Sequence, residues 1–575
     1  MKMRINANSN IEAVKTKSAE KLFYKYLADK LEGIGIVKIA PFNGQYFDLL
    51  YVEGDRAALF KFVDTNEDTF SILSEEIIEV IEEEHIAAKS LLERRLDGKS
   101  IPYYFVMPYI ELEKEVRAKG IIIDKFRFEE LINEELPFEE LLSSAGLGRD
   151  ELLFRLAGEY FIFRQKVDLG EVVLDLGNEK ESLQAVLMEP SQMEAVNSLH
   201  YGTTFLQGST GTGKTSVLFA KMIKLARVYA KDKFMYITFS KQLSNEIKEL
   251  IKRHYPDVEN VKVMNFHQFI LLLGKKYNLK LNKQSKQNFA KEFQKVFDKV
   301  AKIYSGKRFF KGVFVDESEN FSADEIRFLR EISYQRKNIL YLSYDEAKRM
   351  APPSDQEDAQ SYPCDDRLEL VDNYRASRSV ARFNLDFQND INAFSALELE
   401  RMTNYFRGFS EKKDAQGKAQ VIEYESDKEM MEKMLHLIRG SIEKGYDLSD
   451  ICVIYPFNER TLGTPIRAKL ELKNFLEQQD LKITFAEDES SNFKKPKALM
   501  LSNIYNCTNL EFKVVILCYL DMLYGEPKKQ RIKDVQKMLN IIYTASGRAK
   551  DELYVMIKKD EHRPGVIDLL SQKIF

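Results

Sequence analysis

Tryptophan is missing from all 575 residues, and cysteine and histidine are scarce, at four and six. Cys364, Cys452, Cys507 and Cys518 form no CxxC pair, so neither a zinc ribbon nor a disulfide framework is supported. No apolar run reaches the ~18 residues of a membrane span. The opening MKMRINANSN has no apolar stretch of the secretory kind. The expectation is a soluble, cytoplasmic chain with no membrane partner. A large excess of positive charge is missing too: the net charge is −4, so the chain as a whole is not a basic nucleic-acid binder. The charge is uneven, however. Residues 1–150 hold 20 Lys and Arg against 29 Asp and Glu, leaving +5 on residues 151–575. An acidic start suits a protein partner better than a phosphate backbone.

The length allows roughly three to four domains at ~150 residues each. A helical period covers 17–32. Strand-like runs follow at 34–39, 46–52 and 57–63, then an acidic helix over 74–96 and a buried strand at 103–109. Residues 1–134 therefore read as one small α/β domain, and 135–184 as a helical connector. From about 185 strands and helices alternate, as in doubly wound α/β folds. The pattern divides into 185–370 and 371–575, and the second part has strands at 419–424, 451–455, 498–501, 514–517 and 553–557.

The strongest signal is Gly208-Ser209-Thr210-Gly211-Thr212-Gly213-Lys214-Thr215, set between an apolar run and a helical one. The spacing GxxxxGK[ST] in a strand–loop–helix setting defines a P-loop. Glycines let backbone N–H groups close around phosphate oxygens, and the following helix turns its positive end toward them. Lys214 would reach the β- and γ-phosphates of ATP, and Thr215 would offer its hydroxyl to Mg²⁺. About 100 residues on, Val313-Phe-Val-Asp316-Glu317 ends an apolar strand in two carboxylates. Asp316 is placed to hold Mg²⁺ through water, and Glu317 to polarise the attacking water.

Over about 185–560 the residues resemble the UvrD/Rep class of superfamily 1 helicases. Pro190-Ser-Gln192 resembles the adenine-reading glutamine motif, and Met235-Tyr-Ile-Thr238-Phe239-Ser-Lys the "LTFTNKAA" motif. Val263-Met-Asn-Phe266-His267-Gln-Phe269 is similar to "TFHSF", and Asp316-Glu317-Ser-Glu-Asn320 to "DEAQD". Asn373-Tyr374-Arg375 matches "NYR", Leu510-Glu511-Phe512 matches "GLEF", and Tyr543-Thr-Ala-Ser-Gly-Arg548-Ala549-Lys550 resembles "YVALTRAK". The resemblance implies two RecA-like domains. It further implies Tyr374 stacked on the base, Glu511 on the ribose, and Arg375 and Arg548 on the γ-phosphate. Thr238, Phe239, Phe266 and His267 would touch single-stranded nucleic acid, DNA before RNA.

Several family features are missing. Lys348 stands where the "GDxxQ" motif has its glutamine, and Tyr505, Thr508 and Asn509 replace the His, Lys and Gly of "HxAKGLE". The gaps between motifs are too short for added domains of ~100 residues. The expectation is an ATPase with weak or no unwinding.

The order of elements in 1–134 resembles the nuclease-related domain of the PD-(D/E)xK, restriction-endonuclease-like fold. Glu20 and Asp48 match its first two metal-binding places. Lys61 stands where a Glu is expected and Val63 where the Lys should be, with a shifted register through Asp64 as the alternative. Lys61 is expected to pair with Asp48 in place of the ion, leaving an inactive nuclease fold. Three functions stay in view. The first is a DNA-dependent ATPase of the helicase class in DNA repair or defence against foreign DNA. The second is a nucleotide-gated switch or assembly subunit regulating a partner such as a nuclease. The third is an active nuclease–helicase fusion.

Overall fold

The computed structural model describes residues 4–5, 18–42, 45–164, 173–175, 184–279, 289–334, 336–345, 362–373, 376–384, 386–387, 408–409, 417–457, 464–485, 498–504, 507, 510–523 and 532–559. They fall into two units. One is Met1–Leu199 with Ser216–Asp232 and Asp257–Asn260; the other is His200–Thr215, Lys233–Pro256 and Val261–Phe575.

In the first unit a seven-stranded mixed sheet runs in the order Arg4–Ile5, Ile34–Phe42, Gln45–Glu53, Arg56–Phe62, Tyr103–Val106 and Ile122–Ile123, with Ser143–Ser144 paired to Arg56–Phe62. The three long strands form an antiparallel meander. The helix Glu67–Arg95 then carries the chain over to a parallel neighbour, since parallel pairing needs a long crossover. Helix Ser18–Lys30 buries Phe23, Tyr24 and Leu27 in the core with Leu49, Tyr51 and Phe60. Each such side chain contributes about 1.5–3 kcal/mol.

The segment 135–184 departs from the helical expectation. After the helix Arg149–Ala157, the chain forms an antiparallel sheet of Phe161–Arg164, Gln184–Leu187 and Val173–Asp175. The strands are three or four residues long, too short for a period to show, yet Phe-Ile-Phe and Val-Leu are strand formers.

The second unit holds two six-stranded, wholly parallel sheets. The first runs Val261–Asn265, Phe234–Thr238, Gly312–Val315, Ile339–Tyr344, Gly202–Gly208, Asp366–Leu370. The second runs Lys418–Tyr424, Ala549–Lys558, Phe512–Leu517, Ile451–Tyr455, Leu499–Asn503, Ile483–Phe485. Phe234–Thr238 and Ile451–Tyr455 are buried along their whole length, as expected of strands covered on both faces. Both sheets have the RecA-like pattern. In the first, Ile339–Tyr344 separates the P-loop strand from the strand ending in Asp316. Both strands deliver their chemistry at carboxyl ends, where open α/β sheets place their sites. Among the described residues no helix is long and apolar enough to cross a membrane.

Candidate nucleotide site

The P-loop follows the strand Gly202–Gly208 and opens the helix Lys214–Val228. Gly211 and Gly213 both take φ +87°, open to glycine and strained for other residues. A Cβ on Gly208 would lie 2.6 Å from Thr212 Oγ1 and 2.7 Å from the Leu370 carbonyl. Lys214 is buried, and its Nζ donates to the carbonyls of Gly208 at 2.6 Å and Ser209 at 2.8 Å, with Asp345 Oδ2 at 3.4 Å. Thr212 Oγ1 donates to the Ser209 carbonyl. Ser209 Oγ is buried with no partner among the described residues, a hydroxyl free to serve a phosphate oxygen. Thr215 occupies the second helical position, partly exposed.

Asp316 is buried at the end of Gly312–Val315. It accepts from Tyr236 Oη at 3.1 Å, from the Glu317 N–H at 3.0 Å, and from Ser343 Oγ. Burial, with Asp316 beside it, pushes the Tyr236 phenol well above its usual value, so the phenol stays a donor. Glu317 has φ +55°, a left-handed conformation that costs a non-glycine residue about 1–3 kcal/mol. Its N–H is held by Asp316 and Ser343.

Residues far along the chain meet this loop. Arg548, 2% exposed, donates from Nη2 to Thr210 Oγ1 at 3.1 Å and from Nε to the Thr544 carbonyl. The Thr210 N–H lies 3.3 Å from Tyr543 Oη, and its carbonyl accepts from Asn373 Nδ2 at 3.0 Å. A Cβ on Gly547 would lie 2.6 Å from Thr210 Cγ2. Thr210 is thus covered from four directions. Tyr374 and Arg375 lie outside the described residues, as do Lys348, Tyr505, Thr508 and Asn509. Glu511 pairs with Lys550 at 2.8 Å.

Gln192, in the first unit, is buried on the helix Pro190–Asn197, where its Oε1 accepts the Glu189 N–H in a capping box. Thr238 and Phe266 are buried, at 0% and 1% exposure. The Thr238 hydroxyl donates to the Ser240 carbonyl and the Phe266 ring packs on Phe321, so neither side chain presents a face to a base. Phe239, 42% exposed, lies edge-on to His267 with ring centroids 5.4 Å apart. Burial lowers the His267 pKa, which favours the neutral ring.

Sequence reasoning missed the supports. Asn373 and Tyr543 open motifs whose later residues drew attention, Asp345 ends the strand Ile339–Tyr344 beside Lys214, and Tyr236 and Ser343 hold Asp316.

In the first unit, Lys61 does not pair with Asp48. It pairs with Glu84 at 2.5 Å, which also accepts from Tyr103 Oη. Lys38 Nζ lies 2.5 Å from Asp48 and also bridges to Glu20. The hairpin register explains the correction: Val37 faces Leu49 and Ile39 faces Phe47, so Lys38 stands across from Asp48. The Phe62 N–H fills the other Asp48 oxygen at 2.6 Å, and Tyr24 Oη donates to Glu20. Asp64 is exposed. Lys38→Ala leaves two buried carboxylates without their cation, and we expect a loss of about 3 kcal/mol in urea unfolding. Lys61→Ala is expected to cost less than half as much.

The later turns of the helix Lys214–Val228 belong to this unit. Lys224 Nζ donates to Asn197 Oδ1 at 2.8 Å, and Asn197 Nδ2 donates to the Lys38 carbonyl at 3.0 Å. Lys221 donates to the Ser198 carbonyl. Glu159, fully buried, lies 3.2 Å from both Arg95 and Arg227. Burial pushes the Lys224 ammonium down to about 8, with Glu159 pulling it up and Arg95 pushing it further down. An unfolded lysine titrates near 10.4. Between pH 8 and 10.4 the unfolded chain holds the extra proton, so stability rises with pH there, by at most about 3 kcal/mol. Lys224→Met should flatten that rise in pH-dependent denaturation; parallel curves for the two proteins would sink the assignment.

A P-loop, a strand-end carboxylate pair and two parallel RecA-like sheets define a P-loop nucleoside triphosphatase of the two-domain kind. Residues 188–453, 266 of the 575, match the UvrD/REP helicase N-terminal domain, and this stretch is a UvrD-like superfamily 1 helicase domain of the helicase-like ATPase kind. No curated protein matches the chain significantly.

Proposed function

We propose that the chain is a nucleic-acid-dependent ATPase whose two RecA-like domains share one nucleotide site. The observation that carries this is Arg548, buried and 3.1 Å from the P-loop's Thr210, 338 residues earlier in the chain. A guanidinium delivered there neutralises charge developing on a transferring phosphoryl group. Lys214 exchanges its carbonyl partners for β- and γ-phosphate oxygens, and the freed Ser209 hydroxyl adds a donor. Asp316, oriented by Tyr236 and Ser343, and Thr215 would hold Mg²⁺, which supplies charge neutralisation between the phosphates. Glu317 orients water. On the family resemblance, Tyr374 stacks on the base, Arg375 reaches the γ-phosphate and Glu511 contacts the ribose.

Phe239 and His267 offer ring faces to bases of single-stranded DNA. Lys38 fills the space between Glu20 and Asp48, so the first domain serves as an inactive nuclease fold that docks a protein partner. Metal-dependent DNA cleavage lost in Asp48→Ala would overturn that part. The setting is DNA repair or defence against foreign DNA.

The cover over Thr210, built from Asn373, Tyr543, Gly547 and Arg548, favours a second reading. In it, ATP entry separates these contacts and the opening itself is the signal to a partner such as a nuclease. Steady-state hydrolysis with and without single-stranded DNA, beside Glu317→Gln, decides between them. Stimulation by DNA, lost in the variant, supports the motor; tight ATP binding with slow turnover indifferent to DNA supports the switch.

A further inference from the structure

Residues 262–311 hold thirteen Lys and Arg against two Asp and Glu, a net of +11 in a chain whose total is −4. Four of the thirteen cations, and both acids, lie on the amphipathic helix Phe289–Tyr304, a net of +2. One face buries Phe293, Val296, Phe297, Val300 and Tyr304. The other exposes Lys291, Lys295, Lys299 and Lys302. Among the described residues only Lys295 of these four has an ion-pair partner, Glu292 at 2.7 Å. Like charges at i, i+4 destabilise a helix; the exposed Asp298 and the half-buried Glu292 offset part of the stripe, which leaves a net of +2 on this helix for an outside counter-charge.

The stripe spans about 16 Å, with about 6 Å between successive i, i+4 positions. Aromatic groups bound it at both ends. At one end Phe293 lies 4.4 Å from His267, which leads to the exposed Phe239. At the other, Tyr277 and Phe309 are 44% and 39% exposed, and Lys307 Nζ sits 4.8 Å over the Tyr304 ring and 5.7 Å over Tyr277. Cations in a row between aromatic faces suit a single-stranded nucleic acid, with phosphates on the lysines and bases on the rings.

We infer that this helix is a phosphate-backbone track, extending the nucleic-acid surface from Phe239 and His267 toward Tyr277 and Phe309. The inference rests on the nucleic-acid-dependent reading above and adds where the strand runs. The test is fluorescence anisotropy of the full chain with labelled single-stranded DNA, single-stranded RNA and duplex DNA across a salt series. The variant changes Lys291, Lys295, Lys299 and Lys302 to Gln; a control changes Lys428, Lys473, Lys482 and Lys559 to Gln.

The stripe variant should lose roughly tenfold or more in single-strand affinity, and its log–log salt slope should flatten by up to about 2.8, four phosphates at ~0.7 each. The control should stay within about twofold of wild type, its lysines touching no phosphate. Equal losses in both variants, or none in the stripe variant, overturn the track. Tighter binding of duplex through the same lysines overturns the single-strand assignment. Wild-type protein that binds no nucleic acid overturns the underlying reading as well, whereas failure of the stripe variant alone leaves that reading standing. Preference for RNA or DNA identifies the strand, since both present the same phosphates.

Discussion

Lys214→Ala is expected to lower ATP turnover by about a thousandfold or more, close to 4 kcal/mol of lost transition-state stabilisation. Lys214 Nζ lies within 2.8 Å of two P-loop carbonyls, inside the loop, whereas Arg548 meets the loop at the Thr210 hydroxyl. The change also leaves the buried Asp345 without the ammonium 3.4 Å away, so a fall in thermal stability accompanies it. Lys214→Ala combined with Asp345→Asn separates the two effects. The double variant should recover melting temperature and remain inactive. Recovery of turnover with recovery of stability would show that Lys214 is structural alone.

Glu159→Ala should be the most destabilising single change in the first unit, at about 3–5 kcal/mol, because it removes the buried anion that Arg95 and Arg227 share and leaves Arg227 only the more exposed Asp257. In a body of this size that lowers the melting temperature by roughly 10 °C. Arg95 and Arg227 side chains are only 14% and 19% exposed, so water relieves little of the repulsion between them. Burial raises the Glu159 carboxyl, but the two guanidiniums outweigh it and hold it below the usual range. Its folded pKa therefore lies below the unfolded one. The stability it contributes is complete above the unfolded carboxylate value near 4.3 and disappears as pH falls through the folded value. Wild type and Glu159→Ala should differ most at neutral pH and converge in strong acid. A constant gap across that range would mean that packing, not charge, holds the site.

The P-loop and the strand ending in Asp316 were legible in the sequence because phosphate and Mg²⁺ chemistry needs particular residues at adjacent positions. The parallel sheets were legible because strands buried on both faces are written as unbroken apolar runs. What could not be read was which distant residues lean on the loop. Asn373 and Tyr543 meet Thr210 across 163 and 333 residues, and no local pattern encodes that meeting. The Lys61 assignment failed for a different reason. It counted along the chain from Asp48, whereas a hairpin brings cross-strand neighbours together, and Lys38 lay one strand earlier. The burial of Thr238 and Phe266 was equally hidden, since a motif names residues without saying which way each side chain faces.

The helix that begins at the P-loop ends among Ser198, Asn197 and Glu159. Its Lys221, Lys224 and Arg227 find their acceptors on residues preceding the P-loop strand. Modularity in this protein therefore does not follow the order of the chain. A fragment cut just ahead of the P-loop strand would strip Lys221 and Lys224 of their acceptors and leave Arg227 only Asp257, and is expected to fold poorly even with every ATP-binding residue intact. The first unit needs the later turns of this helix as much as they need it: Glu159 supplies the buried anion of Arg227, and Asn197 and Ser198 supply acceptors for Lys224 and Lys221.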